Sequence, residues 1–506
     1  MSVLQQSFRE PKNILFSCPA GGSSHVIWVL QILEELSARG HNVTFVTKET
    51  HAKFANNFPM VNVINTGRQN GLEIKNQYLD KFRDIPIEEL VSVFLTSRMD
   101  RFVEEYRINE EVIVNSNPDL VICDHFDDTC IEIASNRDTP YVLTSSMPEG
   151  PEAKAPYVNN DFWTLKNPTI EDMSLMERFV DKFITPIKII YALKDYFREY
   201  KRNTEILGIP TVYRLEDKHK DNLKIINSAF GIEPPRPIGP LLEMVGPILS
   251  NYYAPLGPNL EDFLKKHHRV LYIAFGQHAV PLKKDVELIL KAIIHNIEVG
   301  AIDGILWATR GLNHLFPDYI TTETNRTYDI KSFFEQSNSN HISFIEWAPQ
   351  MAILHHPSTV VFLTHGGAGS LHEALYTGTR IVMFPFFGDQ PGAAITSEKQ
   401  KLGLKFHHYS TLEFATNVIK RVALDEGGIF QKNIKRFQAY VQIKHRTGAI
   451  KASDLVEEVL FMHQDGKIHH RYDVKRRLSF FKAHNLDLFA KNSNIFNDPR
   501  IRWLTE

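Results

Sequence analysis

Only three cysteines, Cys18, Cys123 and Cys130, stand among 506 residues. An odd count without paired spacing excludes a disulfide-built scaffold and a thiolate metal cage, and we expect buried free thiols in a reducing compartment. No run of 18 or more apolar residues occurs, so no transmembrane helix is expected. The first apolar stretch, NILFSCP, begins at Asn13 after a short polar leader, with no apolar signal core. A formal net charge of −3 and a pI near 6.8 leave no basic field for nucleic acid. Repeats and low-complexity tracts are absent. These absences together suggest a cytoplasmic globular protein.

What is present divides in two. The chain exceeds one ordinary core, and 43% hydrophobic with 23% charged residues is the balance of a folded protein. A βαβ opening reads as a strand at 14–18, a helix at about 25–39, a stop at Gly40 and a strand at 43–47. Further strands are expected at 120–123, 141–146 and 224–230. The stretch SNYYAPLGPNL reads as a linker. Beyond it a second alternation offers strands at 269–276, 304–309, 342–347, 360–365 and 380–386. We expect an α/β chain of two doubly wound, Rossmann-like domains at 1–249 and 261–465, joined by a linker at 250–260. The segment 466–506 should return to the first domain.

The densest segment runs from Trp347 to Gln390, WAPQMAILHHPSTVVFLTHGGAGSLHEALYTGTRIVMFPFFGDQ. The strand VVFLTH feeds the turn GGAG, Gly366 to Gly369, and Ser370 is expected to N-cap the helix carrying LHEAL. A strand, a glycine turn and a helix N-terminus make a ready anion site, because free amides point outward and the dipole is positive there. Pyrophosphate suits it. His365 and Ser370 add side-chain donors, and Glu373, one turn on, can accept two ribose hydroxyls.

This segment resembles the donor-binding signature of the UDP-dependent glycosyltransferases of small lipophilic molecules (glycosyltransferase family 1), in a wording closest to the fungal type. Its 44 residues equal the plant-type box. The resemblance implies the GT-B architecture, in which two such domains face across a cleft. It places Trp347 where the family stacks uracil, Gln350 on the uridine, and His365, Gly367, Gly369, Ser370 and Glu373 on diphosphate and ribose. Asp389 and Gln390 match the pair that binds sugar hydroxyls. Gly276 and Gln277 fall where the family's FGS lines the donor phosphates. Three positions depart: Ala368–Gly369, Arg380 and Ala393 replace a common amide-bearing pair, a proline and an asparagine. Animal members carry a secretory signal and a C-terminal span, neither of which is expected here.

The resemblance also names a general base, a histidine in the first strand-to-helix loop, CPAGGSSHVIW. Here that is His25. Its place at a helix N-terminus should lower its pKa and keep it neutral. Asp124, ending the strand LVICD, matches the family's dyad aspartate and would stabilise the imidazolium formed on proton abstraction. Asp119, before that strand, reads as a turn residue. His125, Asp127 and Asp128 crowd nearby, but no metal site is expected. No Asp-x-Asp triplet occurs, which fits metal-free stabilisation of the leaving group.

The implied activity is inverting transfer from a UDP-sugar, with UDP-glucose preferred, to a small lipophilic acceptor such as a flavonoid, another phenolic or a sterol. No resident cofactor is expected. The alternatives are a sugar-nucleotide epimerase or a glycan-elongating transferase on the same fold, or a non-catalytic UDP-sugar-binding module. Acceptor loops are expected at 65–110 and 146–200. Within them, Arg178 to Phe197 is amphipathic and reads first as core, then as acceptor mouth or membrane contact. Trp307 reads as core, and Arg310 as a residue able to approach the donor.

Overall fold

The computed structural model describes residues 8, 10–67, 85–159, 161, 166–335, 341–486 and 488. Parts of both expected acceptor loops, at 68–84 and 162–165, lie outside the described residues, as does most of the chain beyond 488.

The first sheet holds seven parallel strands: β1 (Asn13–Ser17), β2 (Asn42–Thr47), β3 (Asn62–Asn65), β4 (Leu120–Asp124), β5 (Tyr141–Ser145), β6 (Leu223–Ile226) and β7 (Leu242–Met244). Their spatial order is β3-β2-β1-β4-β5-β6-β7. In the second half, β8 (Val270–Ala274) and β9 (Gly304–Ala308) precede a small antiparallel hairpin of β10 (Tyr319–Thr321) and β11 (Thr327–Asp329). Then come β12 (Ile342–Ile345), β13 (Thr359–Thr364), β14 (Arg380–Met383) and β15 (Gly403–Lys405). This sheet runs β12-β9-β8-β13-β14-β15. The central strands β4, β5 and β8 are buried at every residue, as covering both faces of a parallel sheet requires.

Both sheets reverse their strand order at one point, between β1 and β4 in the first and between β8 and β13 in the second. At such a switch the loops leaving the two strands diverge and open a crevice at their carboxyl ends. The chain therefore builds one crevice twice. Contacts between Ser23 and Gln277, and between Ser24 and Gly369, bring the two crevices together across a cleft.

Strand ends differ from expectation for identifiable reasons. β6 stops at Ile226 because Asn227 turns away to bond both the amide and the carbonyl of Ile248. β14 stops at Met383, and two residues on Pro385 has no amide to donate.

The cysteine expectation needs correction. Cys18 is a buried free thiol, but Cys123 and Cys130 are bonded to each other, with Cα atoms 5.7 Å apart. After Asp124 the chain turns at Asp127 into the helix Asp128–Asn136, and that turn brings Cys130 back over the strand.

The core expectation for Arg178–Phe197 holds only in part. Ile189, Leu193 and Tyr196 pack inward, while Phe179, Phe183, Ile187 and Tyr191 stay exposed. Apolar residues lie all round this segment, so packing one face leaves the other outside. Among the described residues, no helix is long and apolar enough to cross a membrane.

The helix Ile429–Met462, 34 residues long, ties the halves together. Ile434 and Val441 enter the core of the second sheet. Ala452, Leu455, Val456, Val459 and Leu460 enter that of the first, although the sequence boundary places them in the second domain. Gly448 sits at the crossing, where an added Cβ would lie 2.6 Å from Ile248 and 2.8 Å from the Val245 carbonyl. Only glycine admits that approach, which outweighs its cost of about 1 kcal/mol in a helix interior. Beyond the helix, Arg471 pairs with Glu243 and Arg476 with Asp221, holding the following residues on the first half.

Candidate active site

The first wall of the cleft is built at the β1–β4 switch. β1 leads through Gly21 and Gly22, both at positive φ, into the helix Ser23–Ala38. A Cβ on Gly21 would lie 2.5 Å from the His25 ring, so the turn must be glycine for the imidazole to lie over it. His25 Nδ1 stands 2.9 Å from Asp124 Oδ2 and 3.2 Å from Oδ1. Asp124 is 1% exposed and also accepts the Phe126 amide at 3.0 Å. Phe126 and His125 stack on the His25 ring at 4.8 and 5.1 Å. With Nδ1 committed to Asp124, Nε2 is the nitrogen left for a substrate.

The expected fall in the His25 pKa is reversed. Burial does push it down, but the Asp124 charge, its hydrogen bond, and the charges of Glu149 and Asp389 outweigh that and raise it. A helix terminus carries about half an elementary charge, and a full carboxylate in contact overrides it. On Asp124 burial acts upward, and His25, His125 and the Phe126 amide hold the carboxyl below its ordinary value.

Neighbouring acids have other tasks. Asp119 accepts the Asn13 amide at 2.7 Å, fixing the start of β1 as a turn residue would. Asp127 caps the helix Asp128–Asn136 by accepting the Cys130 amide at 3.0 Å, and takes a bond from Ser17 at 2.6 Å. His25, Asp124 and His125 each place a possible ligand atom within 4.8 Å of one another; among the described residues this is the group able to hold a metal ion.

The second wall forms at the β8–β13 switch. His365 follows β13, clasped by two glycines: an added Cβ would lie 2.6 Å from its ring at Gly276 and 2.4 Å at Gly367. Burial, then the charges of His278 and Arg310, push its pKa down to about 3. His365 is therefore a neutral donor–acceptor. The following helix spans Ala368–Thr377, and its N-cap is Gly367, not Ser370. The expectation shifts by one turn because the glycines already supply the non-helical entry. Ser370, in the first turn, accepts from Gln350 Nε2 at 3.2 Å. Gln350 Nε2 also donates to Glu373, and Tyr272 donates to Gln350 Oε1 at 3.2 Å. Burial raises Glu373 to about 7, against the Gln350 bond.

Trp347 stands just past β12, 65% exposed, with its indole outside the core. Trp307, by contrast, is 1% exposed and packed among Phe275, Phe316 and Phe344. Asp389 precedes the helix Gln390–Lys399, and burial raises it to about 6. The electrostatic coupling of Asp389 to His25 spans the cleft from the second wall to the first.

Two donor-site expectations change. Gln277 Oε1 accepts the Ser23 amide at 3.3 Å, so this side chain closes the first turn of the opposite half's helix. Gln390 Oε1 accepts the Phe386 and Phe387 amides at 2.9 and 3.2 Å, which leaves only its Nε2 for a ligand. Gly369 lies against Ser24, at the contact between halves. Arg380, at the start of β14, faces Asp425 and the Val360 carbonyl, far along the strand from the cleft end.

Sequence reasoning missed Glu149, Glu233 and His278. Glu149 lies 3.7 Å from His125 Nε2, and Glu233 accepts from Ser228 at 3.1 Å and is raised by burial to about 7. Each follows the carboxyl end of a strand, β5, β6 and β8, and that position was the available signal.

Comparison with known proteins gives the family and the fold. The family described as UDP-glucoronosyl and UDP-glucosyl transferase matches residues 14–493. A UDP-glycosyltransferase of Talaromyces amestolkiae is 28% identical over 100% of this chain and 99% of its own. UDP-glucuronosyltransferase 2B7 of Homo sapiens is 22% identical over 92% of this chain and 87% of its own. Among solved structures, the glycotransferase of kitacinnamycin superposes with a TM-score of 0.62 at 16% identity, covering 89% of this chain and all of that one.

Proposed function

The chain belongs to the UDP-glucoronosyl and UDP-glucosyl transferase family, and on that premise we propose that it transfers glucose from UDP-glucose, with inversion, to a hydroxyl of a small lipophilic acceptor. That it is a UDP-sugar glycosyltransferase of GT-B architecture follows from the family and the fold. The substrate, the stereochemistry and the residue roles are our reading.

The observation that carries it is the His25–Asp124 pair at 2.9 Å, placed at one switch point and facing the other. His25 Nε2 takes the acceptor proton. The acceptor oxygen attacks the anomeric carbon from the face opposite the diphosphate, and Asp124 stabilises the imidazolium formed. The bond from that carbon to the diphosphate oxygen breaks, and its electron pair leaves on the phosphate. Gly367, Gly369, Ser370 and His365 meet that charge with amides, a hydroxyl and an imidazole at a helix N-terminus. Trp347 stacks the uracil, Gln350 and Glu373 hold the nucleoside, and Asp389 with Gln390 Nε2 takes the sugar hydroxyls. Asp389, raised only to about 6, keeps its charge at neutral pH, and beside the sugar hydroxyls it would disfavour a donor whose sugar is itself a carboxylate. A purely binding module would have no use for a buried carboxylate oriented on an imidazole.

The test is a mass-spectrometric screen of UDP-sugars against phenolic and sterol acceptors, with and without EDTA. Inverted glucoside should dominate under equal UDP-glucose and UDP-glucuronate, and EDTA should leave turnover intact. Predominant glucuronide, or activity lost to EDTA and restored by Mg²⁺, would refute the donor and leaving-group readings respectively.

A further inference from the structure

Arg310 is an unusual residue for its place. It follows β9 at the cleft end of the second sheet and has a left-handed backbone, φ 54, beside Gly311 at φ 72. Glycine would fit both positions, yet the first carries the longest cationic side chain. Its amide donates to the Glu346 carbonyl at 2.9 Å, which pins the turn. One guanidinium nitrogen donates to the Ala279 carbonyl at 3.2 Å. Among the described residues, no carboxylate forms an ion pair with Arg310. A half-buried guanidinium with one bond has most of its five donors unspent.

Its surroundings are those of the donor turn. Ala279 belongs to the loop Gly276–Ala279, which leaves β8 and holds His278. After burial, the Arg310 charge is a further cause pressing down both His278 and His365. Both imidazoles are neutral, and Ala368 and Gly369 offer no side-chain donor. The anion site of the second wall therefore has amides, the Ser370 hydroxyl and neutral rings, and Arg310 is a cation held on the neighbouring loop, near enough to act on both imidazoles.

We propose that Arg310 binds the β-phosphate of the UDP-sugar and holds the charge that arrives there when the glycosidic carbon departs. The planar guanidinium matches two phosphate oxygens at once. This rests on the proposed diphosphate site at Gly367–Ser370, and adds to it a cation from a different strand. The left-handed backbone is what aims a residue from the end of β9 toward the loop after β8, instead of along its own strand.

The experiment measures binding of UMP, UDP and UDP-glucose by calorimetry to the wild-type chain, Arg310→Gly and Arg310→Lys. Glycine is chosen because it accepts φ 54 without strain. Arg310→Gly should weaken UDP and UDP-glucose about ten- to a hundredfold while changing UMP less than about threefold, as loss of a charge-assisted contact to the second phosphate predicts. Its melting temperature without ligand should not fall, and Arg310→Lys should recover part of the UDP affinity. Equal losses for UMP and UDP would overturn the proposal. So would a fall in ligand-free stability that accounts for them, or unchanged UDP binding with a change confined to UDP-glucuronate. If the wild-type chain itself binds UDP no better than UMP, the diphosphate site fails first, and Arg310 with it.

Discussion

The two walls of the cleft occupy equivalent places in equivalent sheets and have opposite electrostatics. On the first, His25 and Asp124 each hold the other toward the charged state against burial. On the second, burial wins: His365 falls to about 3 and His278 to about 4, while Asp389 rises to about 6 and Glu373 to about 7. The difference lies in partnering. A buried group beside an opposite charge is held toward its charged form, and one without such a partner is pushed toward neutrality. The first wall is thereby suited to moving a proton. The second can cradle a charged nucleotide without competing ion pairs to break.

The strongest way to break this contrast is His25→Ala. Transfer should fall about 10²–10⁴-fold, the usual worth of a general base, while UDP affinity in calorimetry stays unchanged. A near wild-type kcat on a weakly acidic alcohol would move the base elsewhere.

Next in size is Trp347→Ala. Loss of base stacking, worth roughly 1–3 kcal/mol, should weaken UDP binding by about one to two orders of magnitude. Because the indole is 65% exposed, the ligand-free melting temperature should barely move. A large drop in that temperature would place the indole in the fold instead of the site.

A pH profile sharpens the first wall. The neutral imidazole is the competent base, so kcat/KM should fall as pH drops through the raised His25 pKa, above the ordinary imidazole value. Asp124→Asn removes the charge that raises it. The acid limb should then shift to lower pH, even as kcat falls. A limb that stays in place would dissociate the titration from this pair.

The smallest expected effect tests the join between the walls. Gln277→Ala removes one hydrogen bond across the cleft, worth about 0.5–1.5 kcal/mol. A few-fold rise in KM for the donor should follow, with kcat nearly kept. A collapse of kcat would show that Gln277 touches the donor after all.

How far the sequence foretold this follows from what each feature depends on. The central strands were legible because burial on both faces demands apolar runs, as in VLYIA and LVICD. β3, β7 and β15 were not, since edge strands of three or four residues such as NVIN need no such run. The strand, glycine turn and helix at 360–377 were legible from the run VVFLTHGGAG and the LHEAL that follows. The His25 shift was misjudged because the helix terminus was weighed alone, whereas the full charge of Asp124 in contact outweighs that half charge. The bond between Cys123 and Cys130 depends on a strand-to-helix turn whose angle no spacing reveals. Gln277 looked like a ligand contact because a sequence cannot show the first half closing over it.

The helix Ile429–Met462 has a consequence for how this protein comes into being. Residues 452–460 and Ile468 complete the core around β1, the first strand to be synthesised. A ribosome extends a chain by about 5–20 residues per second, and domains commonly fold in that order. Here the first sheet cannot close its core until almost the whole chain has emerged, whereas the second sheet closes with Ile434 and Val441. The half that carries His25 and Asp124 is therefore the last to be finished, and a nascent chain completes the wall around His365 before the wall that faces it.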